Sequence, residues 1–179
     1  MTKLRTANLL GALAGEVSER LRRQMARRPN ETDSSAAALN VLSFWDGCSN
    51  AELARMLALS HPATVRLVDK LEAAGLVRSG QGQDRRAVAL SLTEAGRERA
   101  RAILADRCVA LGEVVGILAP DEQAQLEALL EKLLRGVTTG GWHAGHICRL
   151  CDGIVCPEDR CPVHQKAEAL EGGAESGDP

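Results

Sequence analysis

Residues 50–96 place the strongest constraint on how this 179-residue chain can fold. Residues 50–57 have the pattern of a short helix, residues 58–61 form a turn, and residues 62–74 predict a second helix that stops at Gly75. Residues 76–78, a polar glycine-rich loop over 79–86 and an alternating strand over 87–92 follow. This order of elements predicts a helix-turn-helix followed by a wing, an arrangement that can place a helix in a DNA groove.

The composition favours helices throughout the rest of the chain. Hydrophobic residues make up 45% of the sequence but aromatic residues only 2%, so the core must consist mainly of Leu, Val and Ala. Such a core suits helices better than a β-sandwich. No apolar run approaches the length of a membrane span, and the N-terminus lacks a signal-peptide pattern. We therefore expect a mainly α, cytoplasmic protein without membrane contact.

Helical periodicity on both sides of residues 50–96 divides the chain further. Residues 1–30 are expected to form an N-terminal dimerisation helix, residues 31–96 the winged helix-turn-helix domain, and residues 97–137 two C-terminal dimerisation helices. These long helices have more apolar surface than a small winged module needs, which predicts a helical dimerisation bundle. A larger monomeric core is the alternative.

The second helix of a helix-turn-helix contacts base edges with its N-terminal residues. Here the candidate DNA-binding residues are Ser60, His61, Ala63, Thr64 and Arg66. In the wing, an arginine at a hairpin tip suits the negative potential of a narrow minor groove, and a neighbouring carboxylate can hold it in place. The candidates there are Asp84, Arg85 and Arg86.

Charge is distributed unevenly along the sequence, although the net charge is only −2. Residues 1–30 contain seven basic and two acidic side chains, whereas residues 138–179 contain three basic and seven acidic ones. The first half of the chain can face phosphates, and the C-terminal part would be repelled by them.

Four motifs in this order resemble the MarR family of bacterial winged-helix regulators: LSHPATVRLVDKLE at 59–72, GLV at 75–77, DRR at 84–86 and LSLTEAG at 90–96. The resemblance covers about residues 4–136. It implies an obligate homodimer that binds pseudo-palindromic double-stranded DNA, usually as a repressor, with residues 60–66 in the major groove and Arg86, braced by Asp84, in the minor groove. It also implies a possible small-molecule effector.

The C-terminal segment departs from that family pattern. Residues 142–165 contain four cysteines in a C-x2-C-x4-C-x4-C arrangement, Cys148, Cys151, Cys156 and Cys161. A C-x2-C turn with two further thiolates nearby can complete a tetrahedral zinc site. An iron–sulfur cluster is the main alternative, because spacing does not distinguish metals that prefer thiolates. Disulfides and free thiols are further alternatives.

The other sulfur and histidine residues are assigned more ordinary roles. Cys48 and Cys108 are expected to be small buried residues. His143, His146 and His164 are candidates to replace a Cys ligand or to support one. Residues 138–141 resemble a hinge, and residues 166–179 are expected to be a frayed helix followed by a disordered tail.

No catalytic constellation is evident, so we do not expect an enzyme. The alternative function is a redox or metal-handling protein whose winged helix contacts proteins instead of DNA. Steeply salt-dependent binding to a duplex distinguishes the two.

Overall fold

The computed structural model describes residues 2–28, 31–81 and 88–175. Over these residues the chain is mainly helical with a single small antiparallel sheet, which confirms the predicted winged-helix class. The elements, in chain order, are α1 (Thr2–Met25), α2 (Asp33–Phe44), α3 (Asn50–Leu57), α4 (His61–Ala73), β1 (Val77–Gln81), β2 (Val88–Leu92), α5 (Glu94–Val115), α6 (Pro120–Val137), α7 (Gly141–Cys148), a 3-10 turn (Glu158–Arg160) and α8 (Pro162–Glu175).

Side-chain caps fix where the helices of the winged domain begin. The hydroxyls of Thr32, Ser49 and Thr93 accept hydrogen bonds from the first turns of α2, α3 and α5, respectively. At the start of α3, Glu52 accepts a bond from the Ser49 N–H in return, which completes a capping box. Each cap satisfies backbone donors that have no partner inside the helix.

The main core lies where α2, α3, α4 and the hairpin meet. It is built from aliphatic side chains without solvent exposure, including Leu39, Leu53 and Leu90. Cys48 is buried there as predicted, and its backbone pairs with that of Leu90. Burial raises the pKa of the Cys48 thiol to about 12, with further contributions from the charges of Glu52 and Asp46. This thiol therefore remains protonated and unreactive at neutral pH.

A clasp of four residues, Thr93, Gly75, Leu76 and Gly96, joins the end of α4 to the start of α5. The Thr93 hydroxyl donates to the Gly75 carbonyl at 2.7 Å, and the Thr93 N–H donates to the Leu76 carbonyl at 3.0 Å. Gly75 has a φ of +69°, the left-handed conformation that glycine adopts at low cost after a helix. Gly96 packs against the same carbonyl, because a Cβ atom there would lie 2.0 Å from the Leu76 oxygen.

Replacing Gly96 with Ala is expected to lower the free energy of unfolding by about 2–3 kcal/mol, since the new methyl group overlaps backbone that cannot move freely. Urea denaturation of the purified protein measures the change. Gly112→Ala in the same helix is the control: a Cβ there meets nothing within 4 Å, so no loss is expected. Equal stability of the Gly96 and Gly112 variants would contradict this account of the clasp.

The long helices α1, α5 and α6 leave apolar faces uncovered in the single chain. α1 packs along α5, and ion pairs join Arg20 of α1 to Glu113, at 2.6 Å, and Arg28, just after α1, to Asp106. α6 has no buried residue of its own. The exposed apolar side chains include Leu4, Leu9, Leu10, Leu13, Val109, Ile117, Leu129, Leu130, Leu133 and Val137. This surface is the one for which the sequence predicts dimerisation.

The C-terminal part differs from the sequence prediction. Residues 166–175 are helical and belong to α8, where the sequence predicted a frayed helix before a disordered tail; Val163 and Ala167 bury one face of that helix against α7. The expected hinge is shortened because α7 begins at Gly141 and Thr138 is buried. Cys108 lies exposed on α5 in the single chain, contrary to prediction. Residues 176–179 lie outside the described part.

None of the helices in the described residues combines the length and apolar character needed to cross a lipid bilayer.

Candidate DNA interface and thiol centre

The N-terminal turns of α4 carry most of the predicted DNA-binding side chains on their outer surface. Ser60, His61 and Arg66 are exposed, and Ala63 is half-buried. Ser60 caps the helix in an extended conformation, and Pro62 occupies the first turn, where a missing N–H removes no helical bond. Asp69 and Lys70, which the sequence analysis did not select, are also exposed further along the same helix.

Thr64 is the exception among the predicted residues. Its side chain is 0% exposed, and its hydroxyl donates to the Ser60 carbonyl at 3.2 Å. Thr64 shares the inward face of α4 with Val68 and Leu71, at the four- and three-residue intervals that place side chains on one side of a helix. The prediction that Thr64 contacts DNA directly is therefore wrong; this residue packs in the core.

The wing is an antiparallel hairpin in which Val77 pairs with Leu92 and Gln81 pairs with Val88. Leu90 and Leu92 bury one face of β2 against the main core, so the hairpin is fixed at its base. The predicted minor-groove residues Asp84, Arg85 and Arg86 lie in the loop outside the described residues. Their role stays a prediction.

The four cysteines of the C-terminal segment line one cleft of about 600 Å³. Cys148 is the last residue of α7, and Cys161 immediately precedes α8. Two tight turns lie between them: the Cys151 N–H donates to the Cys148 carbonyl at 2.8 Å, and the Cys156 N–H donates to the Asp152 carbonyl at 2.9 Å. Two helix ends and two turns therefore bring four thiols to the walls of the same cleft.

The spacing of the sulfur atoms fits a thiolate-bound metal in part. The Sγ atoms of Cys148 and Cys161 are 4.0 Å apart. Four sulfurs placed about 2.3 Å from a zinc ion would be separated by roughly 3.8 Å. As placed in the described residues, no three Cys, His, Asp or Glu side chains yet surround one point. Cys151 and Cys156 are exposed at the cleft, and a shared metal would require their side chains to rotate inwards.

Neighbouring groups separate the pKa values of these thiols. A hydrogen bond with Cys148 lowers the pKa of Cys151 to about 7, and the guanidinium groups of Arg107 and Arg149 act in the same direction. The same hydrogen bond, followed by burial, raises the pKa of Cys148. Burial and the charge of Cys161 raise the pKa of Cys156 to about 11. The cluster thus contains one thiol that ionises easily beside others that resist ionisation.

Two of the three nearby histidines are engaged elsewhere. The His143 ring bonds to Thr139, and Nδ1 of His146 lies 3.0 Å from the Met56 carbonyl on α3. His164 lines the cleft, with Nε2 3.3 Å from a Glu168 carboxylate oxygen. Among the histidines, His164 is therefore the one placed to assist the thiols.

Two residues that support the thiol centre were missed in the sequence. The Asn40 side chain on α2 donates to the carbonyls of Arg149 and Cys151, and Arg107 on α5 contributes positive charge beside Cys151. Asn40 does carry a signal, because it is a polar residue inside the apolar run over residues 36–42. Arg107 carries none, since a basic residue on a long helix is usually solvated.

Comparison with known proteins bears on the winged domain. Residues 32–87 match the sequence model of the MarR family. This part of the chain is MarR-like. A MarR family protein from Bacillus stearothermophilus is 26% identical over 77% of this chain and 96% of its own, with a TM-score of 0.69. MarR from E. coli is 23% identical over 72% of this chain and 96% of its own, with a TM-score of 0.61.

A third structure is the Mycobacterium tuberculosis MarR family protein Rv2887 in complex with p-aminosalicylic acid. It is 28% identical over 71% of this chain and 96% of its own, with a TM-score of 0.57. These matches are to MarR-type regulators and not to enzymes, as the sequence predicted. This chain covers almost the whole of each of these structures, but roughly a quarter of this chain has no counterpart in them. Residues 138–179 make up a similar share of the chain.

Proposed function

We propose that this protein is a homodimeric, sequence-specific DNA-binding regulator of transcription of the MarR type, acting as a repressor. Residues 60–74 would lie in the major groove and the wing, residues 79–87, in the minor groove. The observation that carries the proposal is α4, which presents Ser60, His61 and Arg66 to solvent at its N-terminal end within a MarR-like domain. Such side chains can bond to base edges and phosphates.

The proposed dimer follows from the uncovered faces of α1, α5 and α6. Exposed Leu and Val side chains recur along all three helices, and burial in a partner would remove them from water. Two-fold symmetry would then place two copies of α4 about 34–36 Å apart, one DNA turn, on a pseudo-palindromic operator.

Arg66→Ala is the direct test of DNA binding. We expect binding of a duplex selected from a random pool by the protein itself to weaken about 5- to 100-fold, since an exposed base or phosphate contact is lost. Fluorescence anisotropy over a range of salt concentrations measures this effect, and binding should fall steeply with salt.

The matched control is Arg101→Ala, which removes one positive charge from α5, where Arg101 pairs with Glu94. It should leave the affinity within about twofold. If Arg66→Ala and Arg101→Ala bind alike and binding is insensitive to salt, the winged helix would instead be a surface for protein contacts, which is the alternative function.

The second part of the proposal is a metal site formed by Cys148, Cys151, Cys156 and Cys161. It is supported by the convergence of four thiols on one cleft and by a sulfur separation close to a tetrahedral edge. Zinc is the proposed metal and an iron–sulfur cluster the alternative; either would crosslink the segment between α7 and α8. His164, which lines the same cleft, would form a hydrogen bond to one of these ligands without binding the metal itself.

The third part is a small-molecule effector. A cleft of about 240 Å³ lies between α1, α2 and α5 and is bordered by apolar side chains and by arginines on several sides: Leu21, Met25, Ile103, Leu150, Arg22, Arg28, Arg107 and Arg149. Asp33 and Asp106 also line this cleft, and Asp106 pairs with Arg28, so four arginines against two carboxylates leave an excess of positive charge that suits a small organic anion. Saturation of this cleft would be expected to change the affinity for DNA, because α1 and α5 belong to the proposed dimer interface and α2 to the winged domain.

A further inference from the structure

The C-x2-C turn of the thiol centre is fastened to the core of the winged domain. Asn40 lies on α2 with 2% of its surface exposed, and its side-chain nitrogen donates to the carbonyls of Arg149 and Cys151, both at 3.0 Å. Both hydrogens of this amide are therefore used by the turn. Leu150, between the two carbonyls, packs against the main core. The backbone of the C-x2-C turn consequently cannot move without disturbing α2.

A second attachment joins α7 to α3, the first helix of the helix-turn-helix. A Cβ atom at Gly145 would lie 2.1 Å from Sδ of Met56, so the two helices approach closely at this point. His146 adds a bond to the Met56 carbonyl. Trp142, 43% exposed, lies with its ring centroid 6.1 Å from that of Trp45, at the end of α2.

Arg55 extends this second attachment onto the outer surface of α3. Its guanidinium carbon lies 4.9 Å from the centroid of the Trp142 ring, a cation–π geometry. α3 is followed by only residues 58–60 before α4 begins, and α3 and α4 pack directly on one another. Any shift of α7 is therefore passed to the helix proposed to read DNA.

We propose that metal occupancy of the thiol centre and DNA binding are thermodynamically linked through Asn40 and the α7–α3 contact, with the metal-loaded protein binding DNA more tightly. This inference rests on the proposed function. The residues between the ligands gain little from packing, since Ile154 has 92% of its surface exposed. Metal binding would restrict the motion of this segment and of α7 before DNA is bound. Less conformational entropy would then be lost when α3 and α4 bind the duplex.

Thermodynamic linkage predicts that zinc changes the affinity for DNA by the same factor by which DNA changes the affinity for zinc. The affinity of the full-length protein for the selected duplex is measured in two samples handled without oxygen. One sample contains one equivalent of Zn²⁺, and a chelator has removed the metal from the other. We expect the zinc-loaded protein to bind the duplex about 10-fold more tightly, within the usual range of allosteric coupling. The affinity for Zn²⁺, measured by competition with a chromophoric chelator, should rise by the same factor when duplex is present.

Trp142→Ala tests the proposed route. The side chain is partly exposed and supplies no ligand, so the variant should still bind one Zn²⁺ per chain and should bind DNA like the wild type when metal-free. The expected change is confined to the coupling, which should fall from about 10-fold to about twofold. Trp142→Phe, which retains an aromatic ring, is the matched control and should keep most of the coupling. Asn40→Asp, which removes both donors at nearly constant volume, tests the first attachment independently.

The outcomes separate the inference from the proposed function. If the protein binds Zn²⁺ and the duplex but the two affinities are independent within twofold, the linkage is wrong and the proposed function stands. If coupling persists unchanged in both Trp142→Ala and Asn40→Asp, the route through these contacts is wrong. If the protein binds no metal or no duplex, the corresponding part of the proposed function fails and the linkage fails with it.

Discussion

Leu133→Asp is expected to convert the homodimer into a monomer and to weaken binding of a two-half-site duplex by at least about 100-fold. Leu133 lies on the apolar face of α6 and is 52% exposed in the single chain, so the change leaves the chain's own core intact. A buried, unpaired carboxylate at the proposed interface is strongly unfavourable. A monomer also loses the gain in affinity from engaging two half-sites at once. Sedimentation and anisotropy measure the two effects.

Ala128→Asp provides the matched control. Ala128 is exposed on the same helix, and at 100° per residue it faces away from the side that carries Leu129 and Leu133. It should leave both the dimer and DNA binding unchanged. A dimeric Leu133→Asp variant with normal affinity would show that the apolar face of α6 has a different partner.

Cys148→Ser is expected to remove most of the metal affinity, by roughly 100-fold or more. A structural four-thiolate zinc site contributes about 10–16 kcal/mol, so loss of one ligand of four removes a few kcal/mol. Cys148 belongs to the sulfur pair whose separation is already near that of a metal site. Titration with Co²⁺, whose thiolate complexes absorb strongly, followed by displacement with Zn²⁺, measures the affinity.

Cys108→Ser is the control for the thiol centre, because Cys108 is exposed on α5 and lies outside the cleft. It should retain one metal per chain. Elemental analysis of protein purified without oxygen distinguishes zinc from an iron–sulfur cluster. If iron and sulfide are found, the proposed zinc site would be an iron–sulfur site instead. If the Cys148→Ser variant kept its full metal affinity, the four thiols would not form one metal site.

The helix-turn-helix could be predicted because its boundaries carry local signals. Ser49 with Glu52 three residues later marks the start of α3, Pro62 marks the first turn of α4, and Gly75 marks its end. These signals act through hydrogen bonds and backbone angles within a few residues, so they can be identified in the sequence alone.

The orientation of α4 and the structure of the C-terminal segment depend on distant contacts and could not be predicted in the same way. Thr64 is compatible with either face of a helix until the position of the core is known. α7 and α8 are stabilised by packing on α3 and α6, and small residues such as Gly145 give little periodic pattern. Asn40 becomes meaningful only when the carbonyls that it binds, more than 100 residues later, are located.

The clasp formed by Thr93, Gly75, Leu76 and Gly96 makes α5 a lever arm. Its 22 residues span about 33 Å, with the recognition helix attached at one end and the proposed subunit contacts toward the other. A tilt of about 5° at the far end therefore moves the attached helix by roughly 3 Å, close to the ~3.4 Å rise of one base pair. A rotation too small to disturb side-chain packing would be enough to put the two halves of the dimer out of register with their operator.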